Sequence, residues 1–419
     1  MTDVTRRTLA TAAALAGLGL ATRASADQPP DLLGKAEGGK IELPDLYAPS
    51  EVSSPPPQPD PHARRLGVAV VGLGHLSLEQ ILPGFGQARS VRLAALVSGE
   101  RDKVRAVAAQ HGVDERHLYD YATFDRLRDD PDVDIVYIVL PNNMHMEYTV
   151  RAAQAGKHVL CEKPMATSVA DAERMIAACR DAKRLLMIAY RMQYDPYHRE
   201  LIRMARSGEH GRVRLIEAVN GQNEADIPQW RHFRDQAGGG SLPDVGLYCL
   251  NAARYVTGEE PVEITAQTTQ PADDPRFREI EDMCAFTLRF PSGTVANCTS
   301  GYSFHENRQM RVMMDAAWVG LDPAFSYEGL RMRIGRKAGR AHAVEQRTYS
   351  DRNQFAREMD HFAECIRAGK QPHTPGEEGA QDMRLIAAIY QAAQQGSPVG
   401  LPAVQGLDTT RGPAPAEEG

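Results

Sequence analysis

The stretch Leu66–Leu82, with the sequence L-G-V-A-V-V-G-L-G-H-L-S-L-E-Q-I-L, decides the fold. Its apolar, β-branched half predicts a buried strand that ends at Gly72, and an amphipathic helix begins shortly afterwards. Gly72 allows a sharp turn, and Gly74 leaves room for a phosphate group beside the backbone. The start of the helix offers unpaired N–H groups and the positive end of its dipole to that phosphate. The stretch predicts a dinucleotide site. A plain strand-to-helix turn is the alternative, because Ser77 stands where the usual fingerprint has its third glycine.

Strand-like and helix-like runs alternate from this stretch to about residue 190. The later strand-like runs are Arg92–Val97, Ile135–Leu140, His158–Cys161 and Leu185–Ala189. Such alternation predicts parallel strands joined by crossover helices, which is a doubly wound Rossmann sheet over residues 66–190. Strand-like runs then follow one another with few helices between them. We therefore expect a second domain over 191–402 with a mostly antiparallel sheet, and a loose tail over 403–419.

Composition excludes several classes of function. The 419 residues are 42% hydrophobic and 25% charged, with a net charge of −7. No basic stretch is interleaved with aromatic residues, so no nucleic-acid partner is expected. No apolar run approaches the roughly 20 residues that span a bilayer, so no membrane anchor is expected. The six cysteines form no C-x-x-C motif, which favours small buried hydrophobes over a disulfide framework, and no His/Cys spacing predicts a metal site.

Two segments precede the first predicted domain. Residues 1–26 carry Arg6-Arg7, a mild apolar stretch and Ala24-Ser25-Ala26, a pattern that predicts a twin-arginine export signal cut after Ala26. A disordered terminus with a chance arginine pair is the alternative. Such a signal implies a periplasmic protein that is exported folded, with any cofactor already loaded. Residues 27–65 are rich in proline and predict an extended arm, which is either a disordered linker or a segment lying on a partner subunit.

The end of the second predicted strand bears on the choice of nucleotide. An NAD site usually has an acidic side chain here that binds the ribose 2′-hydroxyl. This chain has Ser98 at the strand end, with Arg101 and Lys103 directly after it. A hydroxyl and two cations suit a 2′-phosphate, so the stretch favours NADP, although Glu100 would repel that phosphate unless it points to solvent. A solvated first helical turn is the alternative.

Three further polar clusters follow predicted strand ends or a glycine run. Pro141–His145 begins a helix, Glu162-Lys163-Pro164 ends a strand, and Gly238–Tyr255 places Asp244 and Tyr248 four residues apart on one helical face. Each cluster also has a structural alternative. These are a helix cap in the first cluster, a surface salt bridge in the second, and a capped helix start with a core tyrosine in the third.

Together these stretches resemble the glucose–fructose oxidoreductase/inositol dehydrogenase (Gfo/Idh/MocA) family, most closely its periplasmic glucose–fructose oxidoreductase branch. The resemblance runs from about residue 66 to 399, and its carriers include V-V-G-L-G-H, Y-I-V-L-P-N, A-G-K-H-V-L-C-E-K-P-M-A-T-S-V-A-D, Y-R-M-Q-Y-D-P and G-G-G-S-L-P-D-V-G-L-Y. It implies NADP(H) that stays tightly bound through turnover. It implies a ping-pong cycle in which an aldose is oxidised to its lactone and a second sugar, ketose or aldose, is reduced. It also implies that residues 191–402 form an α/β substrate and dimerisation domain with an open, mostly antiparallel sheet, in a homodimer or homotetramer.

The resemblance assigns roles to individual residues. Lys163, Asp244 and Tyr248 match catalytic positions. Because a free tyrosine, with a pKa of about 10, is a poor base, we expect Lys163 to favour the phenolate of Tyr248 and Asp244 to orient the pair. The residues expected to contact the cofactor are Gly72, Gly74, His75, Leu76, Ser98, Gly99, Arg101, Lys103, Tyr121, Leu140, Pro141, Asn142, His145, Glu162, Lys163, Arg191, Trp230, Arg231 and Tyr302. The rival functions are a conventional NAD(P)-dependent aldose dehydrogenase that releases its cofactor and a non-enzymatic exported sugar-binding protein.

Overall fold

The computed structural model describes residues 35–37, 40–42, 64–223, 229–349 and 353–415. The predicted export signal and most of the predicted arm lie outside these residues. Within the arm, strands β1 (Lys35–Glu37) and β2 (Lys40–Glu42) pair antiparallel and belong to a separate unit, Met1–Ser54. All that follows concerns the second unit, Pro55–Gly419.

The first sheet of that unit is parallel and six-stranded. Its strands are β3 (Leu66–Val71), β4 (Val91–Val97), β5 (Leu118–Tyr119), β6 (Ile135–Ile138), β7 (His158–Glu162) and β8 (Leu186–Ala189). They lie in the order β5-β4-β3-β6-β7-β8, and every neighbouring pair is parallel. The strand order reverses beside β3, which is where doubly wound sheets bind their ligands. The predicted Rossmann fold is confirmed.

The second sheet has nine strands. They are β9 (Val213–Asn223), β10 (Glu263–Thr269), β11 (Met283–Arg289), β12 (Val295–Gly301), β13 (Ser303–Met314), β14 (Ala317–Leu321), β15 (Met332–Ala338), β16 (Ala341–Arg347) and β17 (Val399–Gly400). Their order is β16-β15-β14-β13-β9-β12-β11-β10-β17, and only β9 and β12 pair in parallel. The prediction of an open, mostly antiparallel second sheet is therefore confirmed as well.

Helices cover both faces of the parallel sheet, which explains its unbroken apolar strands. The described α-helices are α1 (Leu82–Gly84), α2 (Arg101–His111), α3 (His145–Gln154), α4 (Val169–Asp181), α5 (Pro196–Arg206), α6 (Arg234–Ala237), α7 (Leu247–Thr257), α8 (Gln354–Ala368) and α9 (Gly376–Gln395). None of the described helices is long and apolar enough to cross a membrane. All six cysteines are buried free thiols, as predicted.

The two late helices fasten the domains together. α8 lays Phe355, Met359 and Phe362 against the β3 side chains Val68 and Val70 on one face of the parallel sheet. α9 belongs to a second apolar cluster, which contains side chains from both sheets and from α3, α4 and α7. Because one continuous core runs from the first sheet to the second, the strand ends of the first domain are held in a fixed position beside α7.

The expectation of a loose tail after residue 402 is wrong for the part that reaches Arg411. The Arg411 side chain is fully buried, its Nε lies 3.2 Å from Glu378 Oε2, and its guanidinium carbon lies 3.8 Å from the centre of the Tyr255 ring. Asp408 also pairs with Arg206, with 2.7 Å between Nη1 and Oδ2. The Pro/Gly/Glu-rich composition gave no sign of this, because a few charged side chains rather than an apolar pattern hold the segment in place.

We predict that Arg411→Ala lowers the free energy of unfolding by about 3–5 kcal/mol, because it leaves the buried carboxylate of Glu378 without one of its partners. Urea unfolding followed by tryptophan fluorescence measures this change. Arg340→Ala is the matched control, since Arg340 is exposed in the turn between β15 and β16. Equal stability of the two variants would contradict the anchoring role of Arg411.

Candidate active site

The turn after β3 has the geometry of a phosphate cradle. Gly72 has φ +94°, and a Cβ on it would lie 2.2 Å from the carbonyl oxygen of Val139. Ser77, in the position of the missing third glycine, turns inward and donates a hydrogen bond to Gly72 O at 2.6 Å. A Cβ on Gly74 would meet no heavy atom of the described residues within 4 Å. This open space, at the start of a helical segment whose first turn is a π turn (Ser77–Ile81), fits a pyrophosphate.

The end of β4 gathers the groups expected for a 2′-phosphate. Ser98 is buried, and its Oγ accepts a hydrogen bond from Glu100 N at 3.2 Å. Arg101 and Lys103 are exposed in the first turn of α2. A Cβ on Gly99 would lie 3.1 Å from the ring of Tyr121, so the glycine lets that ring come close. The cations are therefore exposed beside the end of β4, whereas the Ser98 hydroxyl is buried there, and Glu100 is exposed in the same turn.

Two residues after β6 are held by backbone carbonyls. The amide of the buried Asn142 donates to Ala237 O at 2.8 Å and so links β6 to the second domain. The ring nitrogens of His145 lie 2.9 Å from Leu140 O and 2.9 Å from Pro164 O. Burial lowers the pKa of His145. The His145 ring therefore joins the segment after β6 to the segment that carries Lys163.

Lys163 and Asp244 form a partly buried ion pair. Lys163 Nζ donates to Asp244 Oδ1 and to the Asp244 backbone oxygen, both at 3.0 Å. The other carboxylate oxygen, Oδ2, accepts from Tyr302 OH at 2.7 Å and from Arg231 Nε at 3.1 Å. Burial alone would raise the pKa of Asp244, but the charges of Lys163 and Arg231 hold it well below its usual range. Burial alone would lower the pKa of Lys163, but Tyr248, Asp244 and Glu162 raise it.

The phenol of Tyr248 lies between two cations. Lys163 Nζ is 4.7 Å from the centre of its ring, and the guanidinium carbon of Arg191 is 4.9 Å from the same point. Arg191 Nε donates to the Tyr248 hydroxyl at 3.2 Å. The remaining nitrogens of Arg191 donate to Gln354 Oε1 and to Phe325 O, both at 2.6 Å. The cation that contacts the hydroxyl is thus Arg191, which the resemblance assigned to the cofactor.

Most of the other predicted residues lie around this cluster or along the same edge of the sheet. Tyr302 contacts Asp244, and Arg231 lies 4.5 Å over the ring of Trp230. His75 is exposed beside the phosphate cradle and pairs with Glu79 at 3.1 Å. Leu76 immediately precedes the π turn, and Leu140 and Pro141 connect β6 to the turn that contains Asn142. The structure therefore brings Lys163, Asp244, Tyr248, Arg191, Arg231 and Tyr302 into one cluster.

Sequence analysis missed two buried residues behind Lys163. Tyr137 donates from its hydroxyl to Glu162 Oε1 at 2.8 Å. Glu358 lies on α8 and is fully buried. The signal for Glu358 was present in the sequence, since it stands among Phe355, Met359 and Phe362 at helical spacing, on an apolar stripe. An acidic residue in such a stripe indicates a polar partner across the core.

Asp244 lies in a second π turn, Leu242–Gly246, and Tyr248 follows in the first turn of α7. Their spacing brings both residues to Lys163, as the shared helical face predicted. A fixed carboxylate, two cations and a phenol beside a dinucleotide cradle can move a proton on and off a hydroxyl group while a hydride is exchanged.

Comparison with known proteins agrees with this geometry. Residues 66–190 match the family described as "Oxidoreductase family, NAD-binding Rossmann fold", and residues 198–319 match the "GFO/IDH/MocA C-terminal domain". The chain is also 31% identical over 358 residues to a D-xylose 1-dehydrogenase (NADP+) from Haloarcula marismortui. That similarity covers 80% of this chain and 92% of the relative.

Solved structures give the same picture. The chain is similar to an aldose–aldose oxidoreductase from Caulobacter crescentus complexed with glycerol, with 48% identity and a TM-score of 0.78, over 81% of this chain and 100% of that one. It is also similar to a 3-ketoreductase from Actinomadura kijaniata in complex with NADP and TDP-benzene. There the identity is 25% and the TM-score 0.69, over 78% of this chain and 98% of that one.

The two cradle glycines give a matched pair of variants. Gly72→Ala should destabilise the nucleotide-free protein by about 1–3 kcal/mol, because the methyl group meets Val139 O and the backbone is left-handed. Gly74→Ala should leave that stability unchanged and weaken NADP+ binding by at least about tenfold, since its methyl group fills the phosphate space. Urea unfolding and titration calorimetry on nucleotide-stripped protein measure the two effects. Unchanged NADP+ affinity in Gly74→Ala would contradict the phosphate cradle.

Proposed function

The chain belongs to the GFO/IDH/MocA family of oxidoreductases, and we propose that within it this protein is a sugar oxidoreductase that keeps NADP(H) bound. It oxidises an aldose at C1 to the aldonolactone and then reduces a second sugar to the alditol. The observation that carries the proposal is the partly buried cluster in which Lys163 and Arg191 contact Tyr248 and Asp244 pairs with Lys163.

In the cluster, Tyr248 transfers the proton, and Lys163 and Arg191 stabilise the charge on it. Oxidation at C1 removes a hydride and a hydroxyl proton, and NADP+ supplies the hydride acceptor when bound. Tyr248 takes the hydroxyl proton, with the ammonium group of Lys163 and the guanidinium of Arg191 beside its ring to balance negative charge on the phenol oxygen. In the second half of the cycle the same phenol returns its proton to the oxygen of the second sugar, so proton and electron pair balance over one round.

Asp244 acts through Lys163. Its two carboxylate oxygens are occupied by Lys163 on one side and by Tyr302 and Arg231 on the other. A carboxylate held in this way has little capacity left for a substrate hydroxyl, since each oxygen already accepts at least one charged or short hydrogen bond. Asp244 therefore fixes the ammonium group in place beside the Tyr248 ring.

Aldoses are the favoured second sugars. The relative of 48% identity is an aldose–aldose oxidoreductase, which supports an aldose rather than fructose as the acceptor. The D-xylose 1-dehydrogenase relative supports a second candidate function, an NADP-dependent aldose dehydrogenase that releases its cofactor after each turnover. The two functions share one site and differ in whether the nucleotide leaves.

Export and assembly are also part of the proposal. The arginine pair and the Ala24-Ser25-Ala26 pattern support export of the folded protein to the periplasm, where free nicotinamide cofactor is scarce, and this suits a nucleotide that stays bound. The open second sheet supports a homodimer or homotetramer, in which sheet faces of neighbouring subunits cover each other.

Tyr248→Phe and Lys163→Ala should each lower sugar turnover by about 10²–10⁴-fold, the range of general acid–base catalysis, while NADP+ is still bound. The two half-reactions are followed separately on the bound nucleotide, by the rise in reduced nicotinamide absorbance with the donor sugar and its fall with the acceptor sugar. Tyr349→Phe is the matched control, because it removes the same hydroxyl from a residue that packs on Tyr197 away from the cluster. Near-normal turnover in both site variants would refute the assignment.

Nucleotide retention separates the two candidate functions. Protein purified without added cofactor should release about one NADP(H) per chain on denaturation. In the native protein, glucose should reduce the bound nucleotide, and a second sugar should then reoxidise it with no nucleotide added. The second sugars to test are xylose, a further portion of glucose, and fructose. Nucleotide-free protein that turns over only with added NADP+ would instead identify the conventional dehydrogenase.

A further inference from the structure

The glycine run before Asp244 makes room for two side chains from other elements. A Cβ on Gly240 would clash with the carbonyl oxygen of Glu281, and a Cβ on Gly239 would clash with the hydroxyl of Tyr390. Tyr390 comes from α9, and Glu281 stands two residues before β11. Because glycine has no Cβ, the run is the place where these two side chains reach the segment that leads to Asp244.

The carboxylate of Glu281 holds the backbone of this run. Its Oε2 accepts a hydrogen bond from Gly240 N at 2.9 Å, and its Oε1 accepts one from Leu242 N at 2.9 Å. The Tyr390 hydroxyl donates to the same Oε1 at 2.9 Å. Glu281 is only 4% exposed, so these donors take the place of water around its carboxylate. Leu242 begins the π turn that carries Asp244, and Glu281 therefore fixes the start of that turn.

Glu281 supplies the cap that the turn itself lacks. Ser241 precedes the turn, but its side chain makes no capping hydrogen bond to the described residues of the turn. The Ser241 hydroxyl oxygen lies instead 3.0 Å from the hydroxyl oxygen of Ser300. A carboxylate at the start of a helical segment satisfies backbone N–H groups and faces the positive end of the helix dipole. The capped helix start that the sequence left as an alternative is thus made by a side chain from a distant part of the chain.

The next residue, Asp282, holds the other neighbour of Asp244. Its Oδ1 accepts from Tyr302 N at 3.2 Å, and its Oδ2 accepts from the Ser303 hydroxyl at 2.5 Å. Asp282 is also buried. Tyr302 in turn donates from its hydroxyl to Asp244 Oδ2 at 2.7 Å. The backbone that carries the Tyr302 phenol is therefore fixed by Asp282.

We propose that Glu281 and Asp282 are positioning residues, which set the geometry of Asp244 from two sides. Glu281 fixes the backbone that leads to Asp244, and Asp282 fixes the residue whose hydroxyl contacts its carboxylate. Asp244 is thereby aligned with its ion-pair partner Lys163, at 3.0 Å. A misplacement of about 1 Å at a catalytic group can cost roughly a hundredfold in rate. The effect on turnover rests on the proposed function, whereas the link between Asp282 and Tyr302 does not.

Glu281→Gln tests the first side. We expect kcat to fall by at least about tenfold while NADP+ still binds and KM changes less, because the amide oxygen of glutamine cannot accept from both backbone N–H groups as the carboxylate does. Glu263→Gln is the matched control. It makes the same substitution on the neighbouring strand β10, in a partly exposed pair with Arg289, and should keep kcat within about twofold.

Turnover in these variants is divided by the amount of bound nucleotide, so that a smaller folded fraction does not lower the result. An unchanged kcat in Glu281→Gln would overturn the role of Glu281. A loss that disappears on this division would overturn it as well, because the substitution would then lower only the amount of folded protein.

A double-mutant cycle tests the second side. Asp282→Ala removes both acceptor oxygens, and we expect it to lower kcat by at least about tenfold in the wild-type background. In the Tyr302→Phe background the same change should lower kcat by less than about threefold, because the hydroxyl whose position it sets is already absent. Equal factors in the two backgrounds, or no loss in either, would contradict the proposal.

Urea unfolding of the nucleotide-stripped protein repeats the cycle without sugar. The free energy of unfolding lost on Asp282→Ala should be smaller by at least about a quarter in the Tyr302→Phe background, since coupled residues are not additive. Fully additive losses would show that Asp282 does not act through the Tyr302 hydroxyl and would overturn that half of the proposal. Failure of the proposed function would appear separately, as normal turnover by Tyr248→Phe.

Discussion

The ion pair between Lys163 and Asp244 is the contact on which the rest of the site depends. Lys163 follows the carboxyl end of β7 in the parallel sheet, and Asp244 lies at the start of the helical segment that leads into α7 in the second domain. The pair therefore joins the two domains at the proposed active site. Removing both charges from water is costly, and the attraction between them offsets that only when further hydrogen bonds complete the shell. Tyr302, Arg231 and the Asp244 backbone oxygen supply those bonds.

A second buried charge cluster stands further along the same domain. Arg254 is fully buried and pairs with Glu260 at 2.6 Å and Glu378 at 2.8 Å, and Asp382 completes its shell. Arg411 joins this group from the tail. The two clusters have different roles. The charged groups of the first surround the phenol of Tyr248, whereas those of the second pair with one another. The second cluster thus orders α7, α9 and the tail around one another, and α7 is the helix that carries Tyr248.

Local sequence was enough to predict the elements and the glycine turn, because strand and helix periods and glycine conformations are properties of short segments. The spacing of Asp244 and Tyr248 likewise predicted that they share a helical face. The contacts of Arg191 with Tyr248, Gln354 and Phe325 were out of reach, since these residues are 57 to 163 positions away and only the folded core brings them together. The strand β5 was missed because its two residues are too few to show an apolar alternation. The two π turns, Ser77–Ile81 and Leu242–Gly246, were not predicted, because the apolar pattern of both segments is that of an ordinary helix start.

The clamp on Arg191 has a consequence for how a sugar binds. Its guanidinium is fixed by the Phe325 carbonyl, the Gln354 amide oxygen and the Ser326 carbonyl before it contacts Tyr248. A guanidinium held in this way needs almost no reorganisation when the phenol of Tyr248 gains or loses a proton, so the electrostatic field is preorganised. A sugar that binds beside Tyr248 therefore meets charges that do not have to rearrange around it.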